Sequence, residues 1–408
     1  MRRYLVQANR IRMVTISSLF PNKNDPKLGI FVKTRLRHFL ATYQNIDLEV
    51  IAPVPWFPFK HKIFGEYAKY AGVPYQETID GMTVYHPRYL VLPKIGMYLT
   101  PKFMAKAITR TLTKLHRARR VDLIDGHYFY PDGVAICQAA ESLDIPFTCT
   151  ARGTDINLIP QYPKALAMLR TVFDKAAHMM TVCQALKDEM VKLGVPDERV
   201  TVLRNGVDLN LFSASDNAKQ AQLKAQGQIN EKLVLSVGWL IERKGHHLII
   251  EALQNLDNVR LVIAGDGPDL VKLKQLAEQC KVSERVQFLG GVDQPTLNQW
   301  MMTADALVLA SSREGWANVL LESMASGTPV VATKVWGTPE VVKPESQGEL
   351  VERNVADIAR GIQHVLSKDV DREAVRRYAE QFSWKETCEG MMEIVDTIVK
   401  QSARGAIS

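Results

Sequence analysis

The sequence lacks any apolar run long enough to cross a membrane. A span needs about 18 consecutive apolar residues, and no run in this chain of 408 residues approaches that length. The first residues are basic but lack the apolar stretch of a secretion signal. The five cysteines are odd in number and scattered, which argues against a disulfide scaffold and favours reduced thiols in a cytoplasmic protein. The chain also has no repeat of about 20 to 50 residues.

Charge is distributed unevenly along the chain. Lysine plus arginine total 51 and aspartate plus glutamate 44, a net charge of +7. Residues 1–204 carry 29 basic and 17 acidic side chains, so their net charge is 29 − 17 = +12. The remainder carries 22 and 27, so its net charge is 22 − 27 = −5. We therefore expect the first half to face an anionic partner, and the two halves to have different tasks.

Strand-like and helix-like runs alternate through both halves, which is typical of parallel sheets with crossover helices. The pattern predicts an α/β protein with two doubly wound, Rossmann-like domains. The first would span residues 1–208 and the second 209–382, with a polar stretch from Ser213 to Asn230 near the junction. Residues 383–408 form a helix pattern that could close either domain. Ligands of such sheets collect at the C-terminal ends of the strands, in a cleft between the domains.

A basic loop follows the first strand of the second half. It runs from Gly238 to Gly245 and presents Arg243 and Lys244 at a strand end. Two adjacent cations suit a diphosphate because charge-assisted contacts to phosphate are strong. The alternative is a solvated basic loop. The next strand ends in Gly265-Asp266-Gly267-Pro268, which lacks the third glycine of a dinucleotide fingerprint. It indicates either a tight turn or a close passage for a ligand.

The segment from Ser311 to Glu322 carries two glutamates, Glu314 before a helix and Glu322 inside it. Backbone N–H groups near residues 316–319 would point out of the helix start and suit a phosphate. Glu314 could then accept hydrogen bonds from sugar hydroxyls, and Glu322 could reach a ribose diol. The alternative makes Glu314 a favourable charge at a helix N-terminus and Glu322 a solvated side chain.

In this order and spacing, these segments resemble the nucleotide-sugar half of retaining glycosyltransferases of family 4, which have the two-domain GT-B fold. Glu314 and Glu322 match the E-x7-E pattern, and Lys244-Gly245 matches the Lys-Gly of the basic loop. The G-x-G-P turn is matched by 265–268, the F-x-G turn by 288–290 and the junction by 205–208. The resemblance covers nearly the whole chain, and its specificity comes from the combination.

The resemblance implies a role for several residues. Lys244, with Arg243, would hold the donor diphosphate, while Glu314 would contact the transferred sugar and Glu322 the ribose. Trp239 stands where many members have arginine, and Arg243 is the candidate for the missing guanidinium. The donor-binding candidates are Gly29, Gly238, Arg243, Lys244, Gly265, Gly267, Gly291, Val292, Glu314, Gly315, Trp316, Ala317, Asn318, Val319 and Glu322, with Gly291 and Val292 contacting the base through their backbone.

Polar residues also follow strands in the first half. His127 ends one strand, and Arg152 and Asp155 follow another. With Glu314, Lys244 and Arg243 they complete the catalytic candidates, although a lone histidine is more often structural. Many family members have histidine where Arg152 stands, so Arg152 would contact the transferred sugar and could hold a charged sugar or an anionic acceptor. Gly29 is either a phosphate contact or an ordinary helix-start glycine.

Two segments of the first half combine basic with apolar residues. Residues 56–70 include Trp56, Phe59 and Phe64 among lysines, and residues 81–121 contain nine basic side chains and no acidic one. Such a surface favours docking on an anionic membrane. The alternative is a solvated helix face above a core stripe. Nucleic acid is not expected, because no recognised binding module is present.

The resemblance implies transfer of a hexosyl-type sugar from a UDP- or GDP-sugar with retention, without a metal ion or cofactor. The acceptor would be a saccharide, lipid-linked as in the assembly of bacterial surface polysaccharides such as teichuronic acid, O-antigen or exopolysaccharide. The protein would then be peripheral on the inner face of the cell membrane. Two alternatives stay open: a nucleotide-sugar epimerase of the same fold, and a non-catalytic glycan- or lipid-binding protein.

Overall fold

The computed structural model describes residues 10–57, 67–91, 96–214 and 216–405. Its residue contacts cluster into two compact units. The first unit contains the chain up to Val182, Leu186–Leu203, and the chain from Lys385 onward; the second contains Cys183–Ala185 and Arg204–Trp384. The chain therefore enters the second unit after Leu203 and returns to the first after Trp384. In the described ranges, no helix has the length and apolar character of a membrane span.

The first unit is built on a mostly parallel sheet. Its strands are β1 (Ile11–Ile16), β2 (Ile46–Ile51), β3 (Val54–Pro55), β4 (Gln76–Ile79), β5 (Met82–Tyr85), β6 (Arg88–Tyr89), β7 (Leu123–His127), β8 (Phe147–Ala151), β9 (His178–Thr181) and β10 (Val200–Val202). The main sheet has the order β10-β9-β8-β7-β1-β2-β5-β4, while β3 pairs with β6. The strand order reverses at β1, so the ends of β1 and β7 flank a topological switch point, where such sheets bind ligands.

One edge of this sheet departs from the predicted parallel arrangement. Strands β4 and β5 are antiparallel, with Ile79 opposite Met82. The two residues between them, Asp80 and Gly81, have φ angles of 48° and 80°. An Asp-Gly pair with both φ angles positive is a favoured two-residue hairpin turn because its twist matches that of the strands.

The second unit has a wholly parallel sheet. Its strands are β11 (Lys232–Val237), β12 (Val259–Ala264), β13 (Val286–Gly290), β14 (Ala306–Leu309), β15 (Val330–Thr333) and β16 (Glu349–Val351). Their order is β13-β12-β11-β14-β15-β16, and each neighbouring pair is parallel. The order reverses between β11 and β14. Loops that follow these two strands therefore meet at the switch point of this unit.

Helices connect the strands of both sheets. Up to Leu203 they are α1 (Ile30–Thr42), α2 (Tyr67–Ala71), α3 (Gly96–Ala118), α4 (Val134–Leu143), α5 (Thr154–Asn157), α6 (Pro163–Lys175) and α7 (Gln184–Lys192). Then follow α8 (Asn217–Gln226), α9 (His246–Ala252), α10 (Leu270–Gln279), α11 (Gln294–Thr303), α12 (Asn318–Ala325), α13 (Thr338–Val341), α14 (Val355–Ser367), α15 (Arg372–Ala379) and α16 (Trp384–Gly405). The long C-terminal helix pattern is thus a helix, and from Lys385 it belongs to the first unit.

The polar stretch near the junction contains a helix that its hydropathy did not indicate. Asp216 caps α8 by accepting a hydrogen bond from the backbone N–H of Lys219. Gln220 donates to the carbonyls of residues 303 and 304, and Lys224 forms an ion pair with Asp305 at 2.5 Å. This helix has no buried residue, so polar contacts rather than an apolar face attach it to the second unit.

The cores agree with the apolar runs of the sequence. In the second unit, β11, β12 and β14 supply residues with no exposed surface, including Val234, Leu261 and Ile263. These pack with α9 and α14 in one cluster. All five cysteines are free, and Cys280 alone is not fully buried. The thiols therefore behave as small apolar side chains, as the sequence predicts.

Candidate functional site

Lys244 and Glu314 meet at the switch point of the second unit. Lys244 follows β11 and Glu314 follows the adjacent strand β14. The Nζ atom of Lys244 donates a hydrogen bond of 2.6 Å to Oε1 of Glu314. The hydroxyl of Ser311 donates to the same oxygen, also at 2.6 Å, and Nη1 of Arg243 lies 3.7 Å from it. The sequence predicted all of these positions except Ser311, whose hydroxyl gave no signal.

The charge on Glu314 is stabilised by its neighbours. Its surface is only 9% exposed, and burial by itself raises the pKa of the carboxyl. The charge and hydrogen bond of Lys244, the hydroxyl of Ser311 and the charge of Arg243 outweigh burial and hold the pKa below its ordinary value. Glu314 is therefore a charged carboxylate beside two cations, Lys244 and Arg243. Both cations could also contact a second anion, such as a phosphate.

Close backbone packing fixes the basic loop. Gly245 has a φ angle of 72°, and a Cβ added there would come 2.0 Å from the carbonyl oxygen of Ala310 at the end of β14. Only glycine fits this position. The turn that contains Gly265 lies equally close, since an added Cβ would meet the carbonyl oxygen of Gly238 at 1.9 Å. These contacts support the tight-turn interpretation of Gly265.

Arg243 and Trp239 differ in how they are held. Nη1 of Arg243 donates a hydrogen bond of 2.9 Å to the carbonyl of Arg313, so its guanidinium is fixed against the loop that carries Glu314. Trp239, at the position where arginine is common, is 46% exposed. Arg243 thus brings a guanidinium to the Glu314 loop, whereas Trp239 offers an exposed aromatic surface.

The start of α12 is anchored to the junction segment. The indole N–H of Trp316 donates to the carbonyl of Asn205 at 3.0 Å, and the amide of Asn205 donates to Oδ1 of Asn318 at 3.1 Å. Both side chains are occupied internally. In the described part of the chain, the backbone N–H groups of Ala317 and Val319 donate no hydrogen bond. These are the orphan donors that a helix start can offer to an anion.

Glu322 lies inside α12 and is partly exposed. Burial raises the pKa of its carboxyl to about 7. A carboxyl in this state gains a proton near neutral pH, so the balance between its two forms is sensitive to any ligand that donates hydrogen bonds to it.

The predicted base-contacting residues follow β13. The N–H of Gly291 donates a hydrogen bond of 3.0 Å to Oδ1 of Asp266, which belongs to the Gly265–Pro268 turn. This N–H is therefore already satisfied, and the backbone of Val292 is the better candidate for a ligand contact. Sequence reasoning missed Asp266 as the residue that orients this turn.

In the first unit, Asp155 binds the backbone of the loops that follow β7 and β8. Its carboxylate accepts hydrogen bonds from the backbone N–H groups of Phe129 at 2.8 Å, Gly153 at 2.7 Å and Arg152 at 3.1 Å. The carboxylate has no exposed surface. This geometry favours a role in positioning the ends of β7 and β8 over direct contact with a substrate.

His127 is brought together with Arg152, as its strand-end position suggests, but it is fully buried. Nη2 of Arg152 lies 2.7 Å from Nδ1 of His127. Burial is the main cause that lowers the pKa of His127 to about 4, and the charge of Arg152 adds to it. The imidazole is therefore neutral at neutral pH.

Gly29 and Asp132 shape the loop after β1. Gly29 precedes α1 with a φ angle of 59°, and an added Cβ would come 2.0 Å from the carbonyl oxygen of Leu19. Asp132 accepts hydrogen bonds from the backbone N–H and, at 2.9 Å, from the hydroxyl of Ser18. Burial raises the pKa of Asp132 to about 7. The structural need for glycine at position 29 is thus clear, and Asp132 is a loop-positioning residue that sequence reasoning missed.

Within the described ranges, no group of three or more histidine, cysteine or acidic side chains is arranged to hold a metal ion. An Asp-x-Asp sequence does occur at 369–371. Its second aspartate, Asp371, caps α15 by accepting a hydrogen bond from the backbone N–H of Ala374 at 3.0 Å. Asp371 therefore contributes to a helix start.

Comparisons with known proteins agree with these features. Residues 21–211 match the model of the family described as Glycosyltransferase Family 4, and residues 219–382 match that of Glycosyl transferases group 1. An uncharacterized glycosyltransferase, MJ1607 of Methanocaldococcus jannaschii, is 31% identical over 76% of this chain and 84% of its own. The putative teichuronic acid biosynthesis glycosyltransferase TuaC of Bacillus subtilis is 28% identical over 84% of this chain and 88% of its own.

Solved structures share the fold across almost the whole chain. Sucrose-phosphate synthase from Thermosynechococcus elongatus matches with a TM-score of 0.78 and 18% identity, over 96% of this chain and all of that one. HepE from Anabaena, in complex with UDP and glucose, matches with a TM-score of 0.70 and 21% identity, over 95% of this chain and all of that one. Two Rossmann-like units with these likenesses define a transferase of the GT-B fold. The chain belongs to glycosyltransferase family 4.

Proposed function

We propose that this enzyme transfers a hexosyl sugar from a nucleoside-diphosphate sugar to a saccharide acceptor, with retention and without a metal ion. The observation that carries the donor class is the cluster of Lys244, Arg243 and Glu314 at the switch point, beside the open N–H groups of α12. HepE, a structural neighbour, has been solved in complex with UDP and with UDP-glucose, which supports the same donor class here.

The cluster suits the chemistry of transfer. Breaking the bond between sugar and diphosphate leaves negative charge on the leaving group. Lys244, Arg243 and the N–H groups of Ala317 and Val319 are fixed before the reaction, so they stabilise this charge without reorganising. Glu314 accepts a hydrogen bond from Lys244 on one oxygen and offers its second oxygen to sugar hydroxyls. Retention is the stereochemistry expected from the family, with the leaving phosphate assisting the acceptor.

A thermal-shift screen of UDP- and GDP-sugars tests the donor class. A ligand present at about 100 times its Kd adds about 2.7 kcal/mol to the free energy of unfolding, which raises the melting temperature measurably. Lys244→Met should abolish this shift, whereas Glu242→Gln, which removes an exposed charge from the same loop, should keep it. If no nucleotide sugar stabilises the wild-type protein, the donor class is wrong.

Product analysis separates the alternatives. A transferase should release nucleoside diphosphate only when an acceptor is present or, slowly, by hydrolysis of the donor. An epimerase would instead convert the donor into an isomeric nucleotide sugar without acceptor. A binding protein would do neither.

The acceptor is proposed from two relatives whose names refer to teichuronic acid and to lipopolysaccharide core. We place this enzyme in surface polysaccharide biosynthesis, with a lipid-linked saccharide as acceptor. Extracts of lipid-linked saccharides should support transfer of labelled sugar, and chemical release of the lipid should lower the rate. Equal rates on the lipid-free saccharide would argue against this acceptor.

Helix α3 gives the first unit a cationic ridge. We use this name for Lys102, Lys106, Arg110, Lys114 and Arg117, which are spaced by four or three residues on one exposed face. In the described part of the chain, none of them pairs with a carboxylate. The opposite face is buried, so the helix is fixed to the unit and the ridge faces outward. A depression of about 480 Å³ between α3 and α4 is lined by the first three members.

This ridge is the surface that we propose for docking on an anionic membrane at the inner face of the cell. Each Lys or Arg near such a surface contributes about 1 kcal/mol, and because the apolar face of α3 is buried, attraction is electrostatic. The aromatic segment predicted to assist lies partly outside the described residues, including Phe59 and Phe64; Trp56, at its start, is half exposed.

Co-sedimentation with vesicles tests the ridge. Binding to vesicles with 30% phosphatidylglycerol should fall about 100-fold in the triple variant K106E/R110E/K114E, because about 3 kcal/mol of attraction is lost. The triple variant K219E/K281E/K368E makes the same change of net charge on exposed lysines of the second unit and should bind as the wild type does. Equal loss in both variants, or wild-type binding to neutral vesicles, would contradict this surface.

A further inference from the structure

The first unit buries an arginine without an ordinary partner. Arg35 on α1 has no exposed surface. The only side-chain hydrogen bond of Arg35 in the described ranges is a 3.7 Å contact from Nη2 to the sulfur of Met180, and its Nε and Nη1 atoms have none. Burial lowers the pKa of Arg35, and the charge of Asp125 is the main influence that opposes this. Asp125 is therefore the counter-charge of Arg35.

Asp125 contacts two side chains at the switch point of this unit. Its Oδ2 atom accepts a hydrogen bond of 3.0 Å from the hydroxyl of Thr15 and lies 3.0 Å from Nε2 of His127. The latter contact is not aligned as a full hydrogen bond, so its attraction is electrostatic. The carboxylate of Asp125 thus contacts Thr15 and His127 directly, whereas its charge acts on Arg35 over a longer distance.

The tautomer of His127 follows from its two neighbours. Nδ1 lies 2.7 Å from Nη2 of Arg152, and an arginine can only donate, so Nδ1 must accept. In a neutral imidazole the proton is then on Nε2, where it faces the carboxylate of Asp125. This tautomer is compatible with both contacts, and the orientation of the ring determines where Arg152 is held.

We propose that Asp125 fixes the tautomer and orientation of His127 and thereby positions Arg152 at the end of β8, while the buried charge of Arg35 balances that of Asp125 from beyond ion-pair distance. Arg152 is further held by the ring of Phe31, 5.3 Å from its guanidinium carbon. The inference rests on the proposed function, in which Arg152 contacts the transferred sugar or the acceptor. Arg35, Asp125 and His127 are positioning residues that act through Arg152.

A contribution to stability does not by itself explain why Arg35 and Asp125 are both buried. Replacing a buried ion pair by apolar residues of similar size is often neutral or stabilising, whereas removing one partner leaves an uncompensated charge and is strongly destabilising. Arg35 keeps two polar atoms without hydrogen bonds, which an apolar side chain would not do. A requirement for Asp125 beside His127, and hence for a counter-charge, explains why a guanidinium lies in this core.

Two double variants test the proposal without leaving an uncompensated charge. R35M/D125L removes both charges and the acceptor beside Nε2. R35M/D125N removes the same charges but keeps an oxygen beside Nε2, because asparagine has nearly the same volume as aspartate. If Asp125 served only to balance the charge of Arg35, both double variants would behave alike. The proposal predicts that R35M/D125L loses about 100-fold in kcat/KM, the scale of misplacing a positioned group by about 1 Å, while R35M/D125N keeps at least ten times more.

Nitrogen-15 NMR of the histidine rings gives a readout that does not depend on activity. The wild-type protein and R35M/D125N should show His127 as the Nε2–H tautomer, assigned by the loss of its signals in His127→Gln. R35M/D125L should shift these signals towards averaged values. Equal kcat/KM in the two double variants, or an Nδ1–H tautomer in the wild type, would overturn the proposal. If no sugar transfer is found at all, the proposed function fails, and the NMR result still decides whether Asp125 fixes His127.

Discussion

Glu314→Gln should separate the binding of a nucleoside diphosphate from sugar transfer. In the structure Lys244 is 2.6 Å from Oε1 of Glu314, so an incoming phosphate must share this cation with a carboxylate. Glutamine has the same shape and can still accept the hydrogen bonds of Lys244 and Ser311, but it carries no charge. The competing anion is then gone while the cation stays in place.

The size of the effect can be worked out from this geometry. A phosphate oxygen on the far side of Lys244 would lie about 6 Å from the carboxylate. Two unit charges at about 6 Å repel by about 0.7 kcal/mol in water and about 2.8 kcal/mol at an effective dielectric constant of about 20. A middle value of about 1.4 kcal/mol is a tenfold change in affinity. Transfer itself should fall about 100-fold or more, the usual cost of losing one group that is aimed at a transition state.

Isothermal titration with UDP and GDP, and a transfer assay at saturating donor, measure these two quantities. Glu314→Gln is expected to bind the nucleoside diphosphate about ten times more tightly and to transfer sugar at 1% of the rate or less. Glu242→Gln, which removes an exposed carboxylate from the same loop, is the matched control and should change neither value by more than about twofold. If Glu314→Gln weakens binding of the nucleoside diphosphate, Glu314 is needed to hold Lys244 in place and the argument from competing charge is refuted.

Three further outcomes follow from the structure. Burial raises the pKa of Glu322 to about 7, and ribose hydroxyls favour its carboxylate form. The Kd for a nucleotide sugar should therefore fall as pH rises from 6 to 8, which titrations at several pH values can measure. In Glu322→Gln the Kd should not change with pH over this range. The pKa of Asp132 is raised to about 7 from 3.8, so its carboxyl is more easily protonated in the folded than in the unfolded state. Its contribution to the free energy of unfolding is therefore largest below about pH 4 and is lost as pH rises to 7. Urea unfolding at several pH values should show up to about 4 kcal/mol less of this pH dependence in Asp132→Asn than in the wild type. Gly245→Ala should destabilise by more than about 3 kcal/mol, since the added Cβ meets the backbone of Ala310, whereas Gly81→Ala, also at positive φ but in open space, should cost only about 1 to 2 kcal/mol in a melting experiment.

Much of the fold can be predicted from the sequence because parallel strands that are buried on both faces appear as continuous apolar runs. Strand β11, for example, was expected at residues 233–237 and spans Lys232–Val237. Elements that are held by polar contacts could not be predicted from apolar runs. The helix α8 is attached through Gln220 and Lys224, and the antiparallel β4 depends on the Asp80-Gly81 turn.

The site residues also fall into two groups, those that the sequence predicts and those that it does not. Motifs with fixed spacing led to Lys244, Arg243 and Glu314, and the structure brings both cations within 4 Å of the Glu314 carboxylate. Residues that act by positioning, such as Asp266 and Asp132, have no spacing rule because their partners are backbone groups far away in the sequence. Only the folded chain reveals them.

The return of the chain to the first unit after Trp384 has a consequence for the order of synthesis. Domains generally fold as units, and N-terminal ones first, as the chain leaves the ribosome. Here the first unit includes residues from Lys385 onward, which are made after Arg204–Trp384 of the second unit. The part of α16 from Lys385 onward can therefore join the first unit only after the second has been made, and a ribosome that stops after Trp384 releases a chain with a complete second unit and an unfinished first one.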